Sequence, residues 1–160
     1  SKTVRPMLFD TENARSNGME IPEIYSLGSP NKDCVAEASG LGDGGKVGKS
    51  GQNCEPLGNV LIAKKVALPT EEDQYGGVLT FEFDNAIEVL YEIGLLNILG
   101  SDNSIAVYRE DGSTMATPLE SVGQNGLLIV HSNIRNVKKI VVNMQSFSAV
   151  THLNFCSNGP

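Results

Sequence analysis

Residues 77–84 read Gly77-Val78-Leu79-Thr80-Phe81-Glu82-Phe83-Asp84, and this stretch decides the fold class. Leu79, Phe81 and Phe83 fall on one side of an extended chain, with Thr80, Glu82 and Asp84 on the other. An apolar period of two marks a half-buried β-strand, whereas a helix needs apolar residues three and four apart. The same signal recurs outward from this strand. Upstream, Asn59–Ala67 contains Val60-Leu61-Ile62. Downstream, Ile87–Leu99 reads as one long strand, or as two with a bulge at Gly94. Ser104–Arg109, Thr114–Leu119, Leu127–His131, Val137–Met144 and Ala149–Phe155 complete the series. Asp111-Gly112 and Asn125-Gly126 are hairpin turn signals, since both central residues of such a turn must accept positive φ. Turn spacings of about 8–12 residues predict an all-β fold: an antiparallel, jelly-roll-like β-sandwich of about eight to nine strands. Leu79, Phe81, Phe83, Ile140, Val142, Leu153 and Phe155 are expected in one core between two sheets. No window sustains helical periodicity, and Val35–Ser39 offers one helical turn at most.

The chain of 160 residues fits a single domain spanning 1–160, with a Gly-rich insert loop at 34–54. Cys34 and Cys54 bracket that loop and are expected to form a disulfide, closing about 20 residues and stabilising by roughly 3 kcal/mol. The alternative is three buried free thiols in a reducing compartment. Cys156 is the odd cysteine, either free or paired outside this chain. A disulfide places the protein outside the cell or on its surface. Net charge is −7, which argues against nucleic-acid partners because phosphate binding needs clustered Lys and Arg. The doublets Lys64-Lys65 and Lys138-Lys139 sit inside apolar runs and read as solvent-facing strand residues. No apolar run approaches the roughly 18 residues of a membrane span. The chain opens at Ser1, as a processed mature protein or a fragment of a longer chain would.

Few patterns carry chemistry. Gly40-Leu41-Gly42-Asp43-Gly44-Gly45 fits a dinucleotide fingerprint, but that pattern has meaning only between a strand and a helix. Gly48-Lys49-Ser50 resembles the end of a phosphate-binding loop, yet its required first glycine is Asp43. His131 and His152 lie in separate strands and read as satisfied or solvent-facing residues, and Glu71-Glu72-Asp73 as a solvated acidic turn. No nucleophile elbow or zinc-ligand spacing occurs, so no catalytic residue is assigned and the chain reads as a non-enzyme. Oxygen-rich loops can ligate calcium, and Asp10, Glu12 and Asn13 form the candidate set for one structural Ca²⁺, the one cofactor left open. Turn and capping roles are the competing reading of those residues. With no Trp and four Tyr, sugar stacking would fall to Tyr75, in the Gly-rich stretch before residue 77.

Gly58–Ile62, the strand Leu79–Asp84, Gly94-Leu95-Leu96-Asn97-Ile98, Val107–Gly112, Gly123–Gly126 and Val137–Phe155 occur in an order that resembles one family. It comprises secreted, jelly-roll-like β-sandwich domains of bacterial surface proteins with sorting-signal tails, and of related algal extracellular proteins. Leu8-Phe9-Asp10 is similar to that family's first strand. The resemblance implies a cell-surface, adhesive or matrix role and brings no catalytic residues. Two positions depart from it: Asn97 and Thr151 stand where the family carries Asp. The functional expectation is an extracellular structural or adhesive module, a self-assembling subunit of a filament, sheath or surface layer, with a carbohydrate-binding module as the alternative. The partner is accordingly another copy of the chain or an extracellular glycan. Residues 1–6 and 157–160 are expected to gain order from neighbouring copies.

Overall fold

A computed structural model describes residues 4–13, 27–34, 44–65 and 74–157. These form only β-strands and connecting loops: β1 (Val4–Asp10), β2 (Asn59–Lys65), β3 (Gln74–Tyr75), β4 (Gly77–Leu96), β5 (Ser104–Arg109), β6 (Thr114–Pro118), β7 (Leu127–Met144) and β8 (Ala149–Cys156). Seven of them lie in the order β1-β2-β8-β4-β7-β5-β6, each antiparallel to its neighbour, and the short β3 adds to β2. The all-β, antiparallel expectation therefore stands. Val35–Ser39, the acidic turn 71–73, the start of the glycine pattern at 40–43 and the terminal residues 1–3 and 158–160 lie outside the described residues.

The strands expected at 77–84 and 87–99 are one strand, β4, and those at 127–131 and 137–144 are one strand, β7. Straight, the 20 residues of β4 would run roughly 65 Å, well beyond the roughly 40 Å diameter of a compact chain of this size. The β4–β7 ribbon therefore has to bend, and its register breaks between Glu82 and Ile87 and between Leu90 and Glu92. Lys138 crosses the first break, its Nζ donating to the Asp84 carbonyl at 2.6 Å. Lys139 lies over the Tyr108 ring, 4.3 Å from its centroid. The start of the ribbon returns to β2, where β3 pairs with Lys64 and Lys65 and the Gly76 N–H donates to the Ala63 carbonyl at 3.0 Å.

This bend gathers one core from both halves of the ribbon. Leu79, Ile140 and Val142 come from one half, joined by Ile105 and Val107 of β5, and Leu90 and Leu95 from the other, joined by Val150 of β8 and Ala63 of β2, all buried in one cluster. A second cluster lies on the opposite face of β2, β8 and β4, formed by Ile62, Ala149 and Leu96 with Phe9, Val60, Leu27 and Phe147. Leu95 and Leu96 point to different clusters, as neighbouring strand residues must. Burial on both faces accounts for the unbroken apolar run near Ile93–Leu96, which does not alternate.

Of the expected core, Leu79, Ile140 and Val142 are buried, while Phe81, Phe83 and Leu153 are partly buried against the cluster. Phe155 is a correction, being 41% exposed. It lies next to last in β8, and its ring meets that of Phe83 edge-on at 5.5 Å. Turn chemistry also differs from expectation. Only Gly112 of the Asp111-Gly112 pair has positive φ, and a Gly112 N–H to Arg109 carbonyl bond of 3.1 Å closes the turn. Asn125 does adopt positive φ (62°), but its turn leads into β7, which pairs with β4 and β5 and not with β6.

Candidate functional site

The loops 27–34 and 44–58 cover the end of the sheet where β4 stops and β7 begins. Thr11, Ser29, Asn31, Asn53, Asn97, Asn103, Asn125 and Ser148 are all buried. Buried polar atoms need partners, and here they find backbone groups. Asn97 donates from Nδ2 to the Phe147 carbonyl at 2.7 Å, and its Oδ1 accepts the Asn125 N–H at 2.7 Å. Asn125 in turn holds Gly28 twice: Nδ2 donates to the Gly28 carbonyl at 2.8 Å, and Oδ1 accepts the Gly28 N–H at 3.1 Å. Asn53 donates to the carbonyls of Gly28 (3.0 Å) and Asn125 (3.2 Å), and accepts from the Ser29 hydroxyl at 2.7 Å. Gly45 (φ 76°) fits beneath this lattice, because a Cβ there would press on the Asn125 carbonyl and Asn53. The Cys34–Cys54 disulfide ties the two loops together, its Cα atoms 5.3 Å apart. Cys156 is free and exposed.

Asn97 must donate and accept at once, which a carboxylate in place of its amide cannot do. The Thr151 hydroxyl meets His152 Nδ1 at 3.0 Å.

The calcium candidates Asp10, Glu12 and Asn13 sit on one turn at the end of β1. Asp10 Oδ1 accepts the N–H groups of Glu12 (3.0 Å) and Asn13 (3.1 Å), a turn-capping arrangement at the end of β1. Among the described residues no three His, Cys, Asp or Glu side chains converge as a metal site. Tyr75 packs one part of its ring against Phe147, centroids 4.6 Å apart, as part of the second core cluster. That contact withdraws ring surface a stacked sugar would need.

Two groupings had no signal in the linear sequence because they depend on register. Glu92 stands on β4 between β7 and β8. Its Oε2 lies 3.4 Å from His131 Nδ1 and its Oε1 3.3 Å from His152 Nε2. The other grouping is an open cleft of about 460 Å³, lined by Arg109, Glu110, Asp111, Asn133, Arg135 and Asn136. It forms where the β5–β6 turn meets the irregular part of β7, and the Glu110 N–H to Asn136 carbonyl bond of 2.9 Å joins its walls. Asn133 and Asn136 both adopt positive φ, which Asn tolerates better than most residues. The Ser113 hydroxyl and N–H hold the Asp111 carboxyl below the usual carboxylate range, and Arg109 adds to this. No protein-family profile, curated protein or solved structure matches the chain.

Proposed function

We propose that the chain is an extracellular structural or adhesive module, folded as a jelly-roll-like sandwich around the bent β4–β7 ribbon and without a catalytic role. The observation that carries this reading is the capped end of the sheet. There the buried Asn and Ser side chains serve to fix loops, and a disulfide closes those loops. Carboxamides and hydroxyls do not titrate near neutral pH, so this lattice holds its geometry over a wide pH range. A disulfide-tied, carboxamide-braced β-body suits an oxidising exterior, where reducing systems do not reopen the bridge. Binding or assembly then falls to surfaces of a rigid scaffold.

Electron microscopy and light scattering of the purified protein test the assembly reading, with filaments or sheets the supporting result. A strictly monomeric protein at high concentration would overturn assembly and leave adhesion to a ligand. Carbohydrate binding is the second reading, and the polar cleft between the β5–β6 turn and β7 favours it.

A further inference from the structure

The cleft walls are chemically mixed in an unusual way for an acidic protein. Arg109 is partly buried, and its Nε is fully buried with no hydrogen-bond partner. The hydrogen bond its guanidinium does make runs from Nη2 to the Met115 thioether, at 3.6 Å. Among the described residues no carboxylate lies within ion-pair distance of it, and Asp111, whose carboxylate feels its charge, is already bonded to Ser113. A guanidinium carries five donors in a planar fork suited to a carboxylate, and a buried Nε without a partner is costly. Across the cleft, Arg135 has a loose partner, Glu88, at 3.8 Å, with both side chains well exposed. Around these cations stand two carboxylates, Glu110 and Asp111, and two carboxamides, Asn133 and Asn136.

We infer that this cleft binds a carboxylated sugar, its carboxylate on Arg109 and Arg135 and its ring hydroxyls on Asn133, Asn136, Glu110 and Asp111. The inference rests on the carbohydrate-binding reading above and does not require self-assembly. Ligand chemistry is narrowed by what the walls repel as much as by what they attract. A polysulfate, polyphosphate or nucleotide would bring several negative charges against Glu110 and Asp111. A neutral sugar would offer the Arg109 fork only hydroxyl acceptors and no charge to pair with it. One negative charge with several hydroxyls matches both sets of groups. The cleft volume of about 460 Å³ lies within the range of small-ligand sites.

Two-dimensional NMR titration of the ¹⁵N-labelled protein reads this directly. The probes are an oligouronate, a sialylated trisaccharide and a neutral oligosaccharide of equal length. Saturable shifts at residues 109–111 and 133–136 with one or both acidic probes are expected, with the neutral probe at least tenfold weaker. Which acidic probe binds identifies the source of the carboxylate. Arg135→Gln, at an exposed site that folding does not depend on, should weaken binding about tenfold. Arg109→Gln should weaken it further, and Arg109→Lys should restore only part because ammonium lacks the fork. Equal binding of neutral and acidic probes would remove the carboxylate from the proposal but leave carbohydrate binding intact. Shifts that map elsewhere, or none at about 10 mM probe, enough to detect millimolar affinity, would overturn the site.

Discussion

Asn97 is the most informative residue to change, because three separable effects meet there. It is buried, its backbone adopts φ 60°, and its amide bonds both the Phe147 carbonyl and the Asn125 N–H. Asn97→Ala leaves those two buried backbone groups without a partner, at about 1.5 kcal/mol each. It also puts a Cβ-bearing residue without a polar side chain in the left-handed region, costing about 1 kcal/mol more. The sum is about 4 kcal/mol, a large share of the roughly 5–15 kcal/mol total stability of a domain. Asn97→Gly loses the same two bonds but not the backbone term, so it should lose about 3 kcal/mol. Urea denaturation followed by far-UV circular dichroism measures both, given a shared m-value. A loss below about 1 kcal/mol for Asn97→Ala would mean that the amide lattice does not hold the cap. Equal losses for the two variants would show that the backbone conformation carries no strain.

The other predictions concern the bridge, the core and the β5–β6 turn. Replacing Cys34 and Cys54 together by Ser should lower stability by roughly 3 kcal/mol, and peptide mapping without reductant should recover the two cysteines in one linked fragment. Both thiols alkylated in native protein would contradict this. Ile140→Ala, at a fully buried site, should cost about 3–4 kcal/mol, whereas Phe81→Ala should cost less than the value for a buried Phe because that ring is only partly buried. The reverse ranking in denaturant melts would show that the register is wrong. Ser113→Ala should raise the Asp111 pKa toward its usual range, read by NMR titration. Because the folded pKa is lowered, the turn's contribution is present above the unfolded pKa and fades as pH falls through the folded one.

Much of this fold was legible because alternation is a one-dimensional signal. Leu79, Phe81 and Phe83 alternate in sequence and face the first cluster in space. What escaped is what depends on two dimensions. Nothing near Phe83–Ala86 distinguishes a strand end from a bend inside a longer strand, because the register break is set by the partner, β7. The exposure of Phe155, near the end of β8, is likewise something an apolar pattern cannot report. The cysteine pair was legible because a Gly-rich loop needs outside support. The cap lattice was not, because asparagine reads as a turn residue whether its amide meets water or a buried carbonyl. Arg109 and Arg135 lie 26 positions apart and come together only through the β5–β7 register, so the cleft had no linear signature.

The edges of the sheet bear on how such a module could join others. The Thr11 N–H points at the Gly58 carbonyl, so alternation places the Pro6 nitrogen on the outer side of β1. At the opposite edge the Leu119 N–H points at the Asn103 carbonyl, which places Pro118 outward on the five-residue β6. Among the described residues β1 and β6 are the outermost strands, and each thus lacks one donor where an added strand would need it, a device that blunts edge-to-edge pairing. Side chains near those edges are less guarded: Leu8 on β1 and Met115 on β6 are large, apolar and exposed. Contacts between copies, where they form, are therefore better served by side-chain surfaces than by continuation of the sheet. Such contacts are reversible and sequence-specific, whereas a shared backbone ladder would accept any extended segment. The adhesive role proposed above would need the first kind and have to suppress the second.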